Sequence, residues 1–232
     1  MNKPRLLDLF CGAGGCGVGY SRAGFEVVGV DLRPQPRYPF AFHQADALEF
    51  LAEHGREFDA IHASPPCQAY SRLKSVHRFR GGKTHPELIE PTLRLLETVG
   101  KPYIVENVPG AGLPTHVILC GSMFGLGAMC DDTFHQLRRH REFACSFYFL
   151  MSLRCRHIGR PVGVYGNGGA HRKHKNRPGI NGFTGTAVER RCAMGINWMS
   201  RYELSQAIPP AYTEYLGRQL RNHLRNRLED RP

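Results

Sequence analysis

Apolar and polar positions along this chain fall into two regimes. Through the first half, short apolar runs of strand length are followed by stretches whose apolar residues recur at helical spacing. Arg5–Phe10 reads as a strand, followed by a glycine-rich turn and a short helix up to Ala23. Glu26–Asp31 (EVVGVD) reads as a second strand, Ala41–Gln44 as a short third before a helix around Leu48–His54, and Phe58–Ala63 as a fourth. Pro86 suits the first turn of a helix running to Val99, with Gly100 as its stop. Pro91 within that helix predicts a kink or a late start, because proline lacks the amide and clashes with the preceding turn. Tyr103–Glu106 (YIVE) is the next strand. Strands alternating with helices predict an α/β fold: a mostly parallel sheet with helices on both faces and ligands at the carboxyl ends of the strands.

The second half reads differently. LRRHREF, residues 137–143, suits a strand, and side-chain alternation would then put Arg139 and Arg141 on one face. The piece GNGGAHRKHKNRPGINGFTG is glycine-rich and basic, which reads as a loop. The closing PPAYTEYLGRQLRNHLRNRL reads as an amphipathic helix with Tyr212, Tyr215, Leu216, Leu220 and Leu224 on one face. No internal repeat is visible. Three segments follow from this organisation: 1–145, a short basic region over 146–186, and a carboxyl-terminal segment over 187–232 that returns to the first.

Charge sharpens the picture. Lys and Arg total 31 against 20 Asp and Glu, a net charge of +11. Between residues 151 and 192 nine Lys or Arg face a single acid, Glu189. Such an excess favours a polyanionic partner, nucleic acid before membrane. The opening MNKPRLLDLF is no signal peptide, and no apolar run is long enough to span a membrane, so an intracellular chain with reduced thiols is expected. The eight cysteines form no Cys-x-x-Cys pair. Cys130, Cys145, Cys155 and His157 fit no common zinc spacing, so no metal site is expected.

Several stretches carry candidate chemistry. Gly12-x-Gly14-x-x-Gly17 follows the first strand, where glycines let backbone approach a ligand, and the second strand ends in Asp31, placed to bond the hydroxyls of a ribose. The pair favours a ligand with an adenosine-like half and does not distinguish NAD from S-adenosylmethionine. Asp46 could meet an adenine amino group or simply cap a helix. HASPPCQAYS places Cys67 just past a strand end, behind the stiff Pro65–Pro66 pair, as a positioned nucleophile requires; a buried inert thiol is the alternative. The loop beyond carries Arg72, Lys74, Arg78, Arg80 and Lys83, suited to a phosphate backbone, with Gly81 and Gly82 allowing movement. VENVPG sets Glu106 at the next strand end, as a buried acid or as a cap on backbone amides.

Taken in order, DLFCGAGG, VGVD, SPPCQAYS, VENVPG, RRHREF and QAIPPAYTEYLGRQL resemble the DNA (cytosine-5)-methyltransferase family. The resemblance covers nearly the whole chain outside the short basic region. It implies a Rossmann-like S-adenosylmethionine-dependent methyltransferase fold with a small basic target-recognition insertion. It implies a donor site formed by Phe10, Gly12, Gly14, Gly15, Asp31, Leu32, Asp46, Ala47 and Pro66, completed near Gln206. Cys67 would be the nucleophile, Glu106 the partner of cytosine N3, and Arg139 and Arg141 would approach the base O2 and its neighbours. Double-stranded DNA would be gripped by Ser71, Arg72, Lys74, Arg78, Arg80 and Lys83 and by Arg172, Lys173, Lys175 and Arg177. The expected protein is a monomer of the bacterial or phage-infected cytoplasm.

The sequence departs from the family pattern at Leu137, where a glutamine is usual, at Gln206, where an asparagine is usual, and in the brevity of its recognition region, which predicts a short or relaxed target sequence. Alternatives from other classes are an RNA (tRNA) cytosine methyltransferase, a silent nucleic-acid-binding relative, which would have lost Cys67 or Glu106, and an NAD-dependent dehydrogenase, which fits the first motif alone.

Overall fold

The apolar runs of the first half form β1 (Arg5–Leu9), β2 (Glu26–Asp31), β3 (Ala41–Gln44), β4 (Ala60–Ala63) and β5 (Tyr103–Asn107) in a computed structural model that describes residues 3–66, 87–114, 116–165 and 183–229. These five strands are parallel, in the spatial order β3-β2-β1-β4-β5. Two further strands, β6 (His116–Leu119) and β9 (Arg141–Cys145), extend the sheet: β9 pairs antiparallel with β5, and β6 closes that edge antiparallel to β9. The central strands are apolar on both faces because helices cover both. Successive residues of β1 therefore enter different cores. Leu6 packs with Phe25, Ile104 and Phe143 beneath α1 (Gly15–Arg22) and the terminal helix α6 (Pro210–Glu229). Leu7 and Leu9 pack with Ile61 and Val105 beneath α2 (Ala47–His54) and α3 (Ile89–Val99).

Helix α3 resolves the Pro91 problem by a late start. It begins at Ile89 rather than Pro86, which puts Pro91 in the first turn, where its missing amide costs no intrahelical bond. Gly100, at φ 71°, stops it as expected. Tyr212, Leu216 and Leu220 of α6 are fully buried against α1. The helices meet at Gly19, where a Cβ would lie 2.0 Å from Thr213 Oγ1.

A third core was not legible in the periodicity. The hairpin of β7 (Gly127–Cys130) and β8 (Thr133–Gln136) turns through Asp131 and Asp132, both at positive φ. It packs with the short parallel pair β10 (Val162–Gly163) and β11 (Phe183–Thr184) and with α4 (Ala187–Met194) and α5 (Arg201–Gln206). Ala128, Leu137, Val164, Met194 and Leu204 share this core, so it joins all three segments expected from the sequence. The strand expected over residues 137–143 is displaced. Leu137 makes an isolated bridge to Val162, and β9 begins only at Arg141, because Leu137 is drawn into the third core. Strand alternation therefore does not orient Arg139 relative to Arg141. No helix among the described residues is long and apolar enough to cross a membrane.

Candidate active site at the carboxyl ends of the strands

Between β1 and α1 the backbone turns through Phe10, Gly12 and Gly14, all in the left-handed region, with φ of 57°, 48° and 85°. The carboxylate of Asp31, at the end of β2, holds this loop. Its Oδ2 accepts from the Gly12 amide at 3.0 Å, and its Oδ1 from the Arg33 amide at 3.0 Å. The carboxyl-terminal segment holds the loop from the other side. Trp198 Nε1 donates to the Ala13 carbonyl at 2.8 Å, and Thr213 Oγ1 to that of Cys16 at 2.9 Å. Gly15 is required by Ile208, whose carbonyl would lie 2.5 Å from a Cβ at position 15. Above Gly12 a Cβ would meet nothing within 4 Å, so the loop borders open space.

The residues around that space fit an adenosine-bearing donor. Asp31 presents carboxylate lone pairs, Leu32 is 68% exposed beside it, and Asp46 caps α2 through Oδ1 alone, accepting from Leu48 and Glu49 amides at 2.8 and 3.2 Å. Capping and ligand contact are compatible, since the second oxygen is directed elsewhere. Ala47 is buried in the core, which leaves any contact there to its main chain. Gln206 is exposed beside Ile208 and donates to Ser205 Oγ at 3.3 Å.

At the end of β4 the chain passes through Ser64, Pro65 and the half-buried Pro66. Asn107 Nδ2 donates to the Pro65 carbonyl at 3.0 Å, so the end of β5 clamps the proline turn. Cys67 follows Pro66 directly and lies outside the described residues, as do Ser71, Arg72, Lys74, Arg78, Arg80 and Lys83, and Arg172, Lys173, Lys175 and Arg177.

Glu106, the next residue up β5, is 6% exposed. Burial raises its pKa, against the opposing pull of the Arg141 guanidinium, a hydrogen bond with Ser64 and the more distant Arg139. Arg141 Nε lies 3.0 Å from Glu106 Oε1, yet without hydrogen-bond alignment. Behind Ser64 runs a buried chain of polar groups: His62 Nε2 lies 2.9 Å from Ser64 Oγ, and His62 Nδ1 lies 2.9 Å from Tyr20 OH. Burial lowers the His62 pKa to about 3, so its ring is neutral near pH 7. Arg139 is occupied differently. Its guanidinium donates to the carbonyls of Val164 at 3.1 Å and Ser205 at 2.7 Å, and Tyr212 OH donates to its own carbonyl at 2.6 Å. It thus ties the third core to the sheet, while Arg141 stands at the acid.

Beneath the glycine loop, Asp8 is 1% exposed and accepts from Tyr38 OH at 3.1 Å. Burial raises its pKa to about 8. The Tyr20–His62–Ser64 chain, the Asp8–Tyr38 pair and the Trp198 strap are features that sequence motifs missed. Their signals were faint: a histidine inside an apolar strand, an aspartate inside another, and the single tryptophan.

Comparison with known proteins agrees with this arrangement. Residues 4–117 match the model of the C-5 cytosine-specific DNA methylase family. A type II methyltransferase of Fusobacterium nucleatum, M.FnuDI, is 31% identical over 117 residues, 46% of this chain and 33% of that protein. Another from Haemophilus parahaemolyticus, M1.HphI, is 31% identical over 125 residues, 47% of this chain and 33% of that protein. The match thus spans about a third of the length of these curated relatives. The crystal structure of the Dnmt2 methyltransferase of S. pombe shares the fold, with a TM-score of 0.57 at 14% identity over 96% of this chain and 99% of that one. With the glycine loop, the proline turn and the buried glutamate in one crevice, and with the matched segment running through all three, residues 4–117 belong to the C-5 cytosine-specific DNA methylase family.

Proposed function

We propose that the chain is an S-adenosylmethionine-dependent DNA (cytosine-5)-methyltransferase. The observation that carries this reading is Glu106: a buried carboxyl group of raised pKa, beside Arg141 and hydrogen-bonded to Ser64 of the turn that leads into Cys67. S-adenosylmethionine, when bound against Asp31, Leu32 and the Gly12 loop, supplies an electrophilic methyl group.

The chain's own residues do the rest. Cytosine C5 is a poor nucleophile until a thiolate adds at C6. Cys67 forms that bond, and the electrons displaced from the ring double bond are relayed toward N3. Glu106, whose pKa burial raises, donates a hydrogen bond at N3 in its protonated form and stabilises the charge that develops there. Arg141 faces the same carboxyl group and suits the base O2. After C5 has been methylated, loss of its proton expels Cys67 as thiolate and restores the aromatic ring. The base must leave the helical stack to meet these groups. The net charge of +11 and the basic stretches 72–83 and 172–177 suit the phosphate backbone of double-stranded DNA. The short basic region supports a short or relaxed recognition sequence.

The test is transfer of labelled methyl from S-adenosylmethionine to mixed-sequence duplex DNA and, in parallel, to RNA. Label at cytosine C5 of DNA with the wild type, and none with Cys67→Ala, is the expected result. Label on RNA alone would refute the DNA assignment, and a wild type that binds the donor but labels neither would refute the enzyme.

A further inference from the structure

Away from the crevice, four soft or borderline ligands converge at the β6 edge of the sheet. Cys120 immediately follows β6, and His140 immediately precedes β9. The antiparallel register pairs Leu119 with Arg141, so the next position brings Cys120 opposite His140. Cys155 and His157 arrive from residues 146–161, a segment with neither helix nor strand. One ligand atom from each of the four lies within 4.8 Å of the others. Cys120 Sγ is 3.4 Å from His157 Nε2, and Cys155 Sγ is 3.4 Å from His140 Nε2 and 2.9 Å from His157 Nε2.

We propose that Cys120, His140, Cys155 and His157 form a structural Cys2His2 zinc site that pins residues 146–161 to the sheet edge. Tetrahedral zinc with bonds of about 2.3 Å to sulfur and about 2.05 Å to nitrogen needs sulfur–nitrogen edges of about 3.6 Å and a sulfur–sulfur edge of about 3.8 Å. Of the four sulfur–nitrogen edges, Cys120–His157 and Cys155–His140, each 3.4 Å, stand close to that geometry, and Cys155–His157, at 2.9 Å, is shorter. Two thiolates would neutralise the dication, and both imidazoles present Nε2. Ser122 supplies the support that metal-bound thiolates need: its hydroxyl donates to Cys120 Sγ at 3.3 Å and lies 3.6 Å from Cys155 Sγ. Hydrogen bonding alone does not account for the cluster, since thiols are weak partners and four of the chain's ligand-type groups meet here from three separate places.

The site also answers a structural need. A long irregular segment in a small domain requires an anchor. Its far end is held to β8 by Ile158 N on Gln136 Oε1 at 2.8 Å and by His135 Nδ1 at 2.8 Å from the Arg160 carbonyl. Nearer its start, Tyr148 and Leu150 are more than 80% exposed. Zinc would fix residues 155–157 to the residue lying between Arg139 and Arg141, and so set the entry to β9. Spacing rules missed the set because they grouped Cys155 and His157 with Cys130 and Cys145. Cys130 lies in the third core, and Cys145 packs against the core beneath α1 and α6.

The test uses the full chain, purified without chelator and analysed for metal. One zinc per chain is expected, and exchange for Co2+ should give the intense visible absorption of a tetrahedral centre with thiolate-to-cobalt charge transfer. Zinc should protect Cys155 from alkylation, and chelation should expose it. The double variant Cys155→Ala/His157→Ala should lose the metal, Cys192→Ala should keep it, and Ser122→Ala should weaken zinc affinity by about 10–100-fold. A wild type without stoichiometric zinc and without a tetrahedral cobalt spectrum overturns the proposal, as does a Cys120–Cys155 disulfide in the native protein or zinc retained by the double variant. Should the double variant fail to fold, the wild-type cobalt spectrum and Cys155 protection still decide.

Discussion

Replacing His62 by Phe tests whether a neutral, buried imidazole supports the floor of the candidate active site. His62 is fully buried and bridges Tyr20 OH and Ser64 Oγ at 2.9 Å each. Phenylalanine fills a similar volume but leaves both hydroxyls short of one partner. A buried polar group that loses its partner costs about 1–3 kcal/mol, and Ser64 keeps its bond with Glu106, so the loss near pH 7.5 should be about 2–3 kcal/mol. The pH dependence is the sharper part. The His62 pKa falls from 6.5 to about 3 on folding, so between those values the unfolded chain binds a proton that the folded chain refuses. The stabilising contribution is full above pH 6.5 and is lost as pH falls toward 3, at about 1.4 kcal/mol per pH unit. The variant has no such loss. Its disadvantage of about 2–3 kcal/mol should therefore vanish about two units below 6.5, and the two stability curves should cross near pH 4–5. Chemical denaturation at half-unit intervals from pH 8 to 4 measures both curves, and their difference removes the titrations that the proteins share. A constant difference across this range would refute the neutral buried histidine.

Two further substitutions probe the donor side of the crevice. Asp8 has the opposite sign: its folded pKa of about 8 stands above the ordinary 3.8, so the folded chain holds the extra proton and stability falls as pH rises between those values. Asp8→Asn should abolish that fall and be relatively the more stable near pH 8, and parallel denaturation curves for wild type and variant from pH 4 to 8 would refute the buried protonated acid. Gly15→Ala places a Cβ 2.5 Å from the Ile208 carbonyl, so backbone must shift. It should cost about 1–3 kcal/mol and weaken S-adenosylmethionine binding in calorimetry, because the same loop borders the donor space; unchanged binding would separate that contact from the site.

The amino-acid sequence determined the strands from β1 to β5, their parallel order of appearance, the late start of α3 and the burial of the Tyr212, Leu216 and Leu220 face, because each follows from local periodicity, proline and glycine stereochemistry, and apolar content. It also carried the family motifs, since Gly12, Asp31, Pro65, Pro66 and Glu106 lie where strands end and chain geometry leaves little choice. Tertiary structure alone decided the rest. It drew Leu137 into a core shared by distant segments, moved the start of β9 to Arg141, and turned Arg139 toward the carbonyls of Val164 and Ser205. It set His62 behind Ser64, and it gathered Cys120, His140, Cys155 and His157 from three places in the chain. Periodicity reports which face of an element is apolar; it does not report which distant element will cover that face. Long-range pairing of strand edges settles that, and in this protein it settles the electrostatics of the site as well.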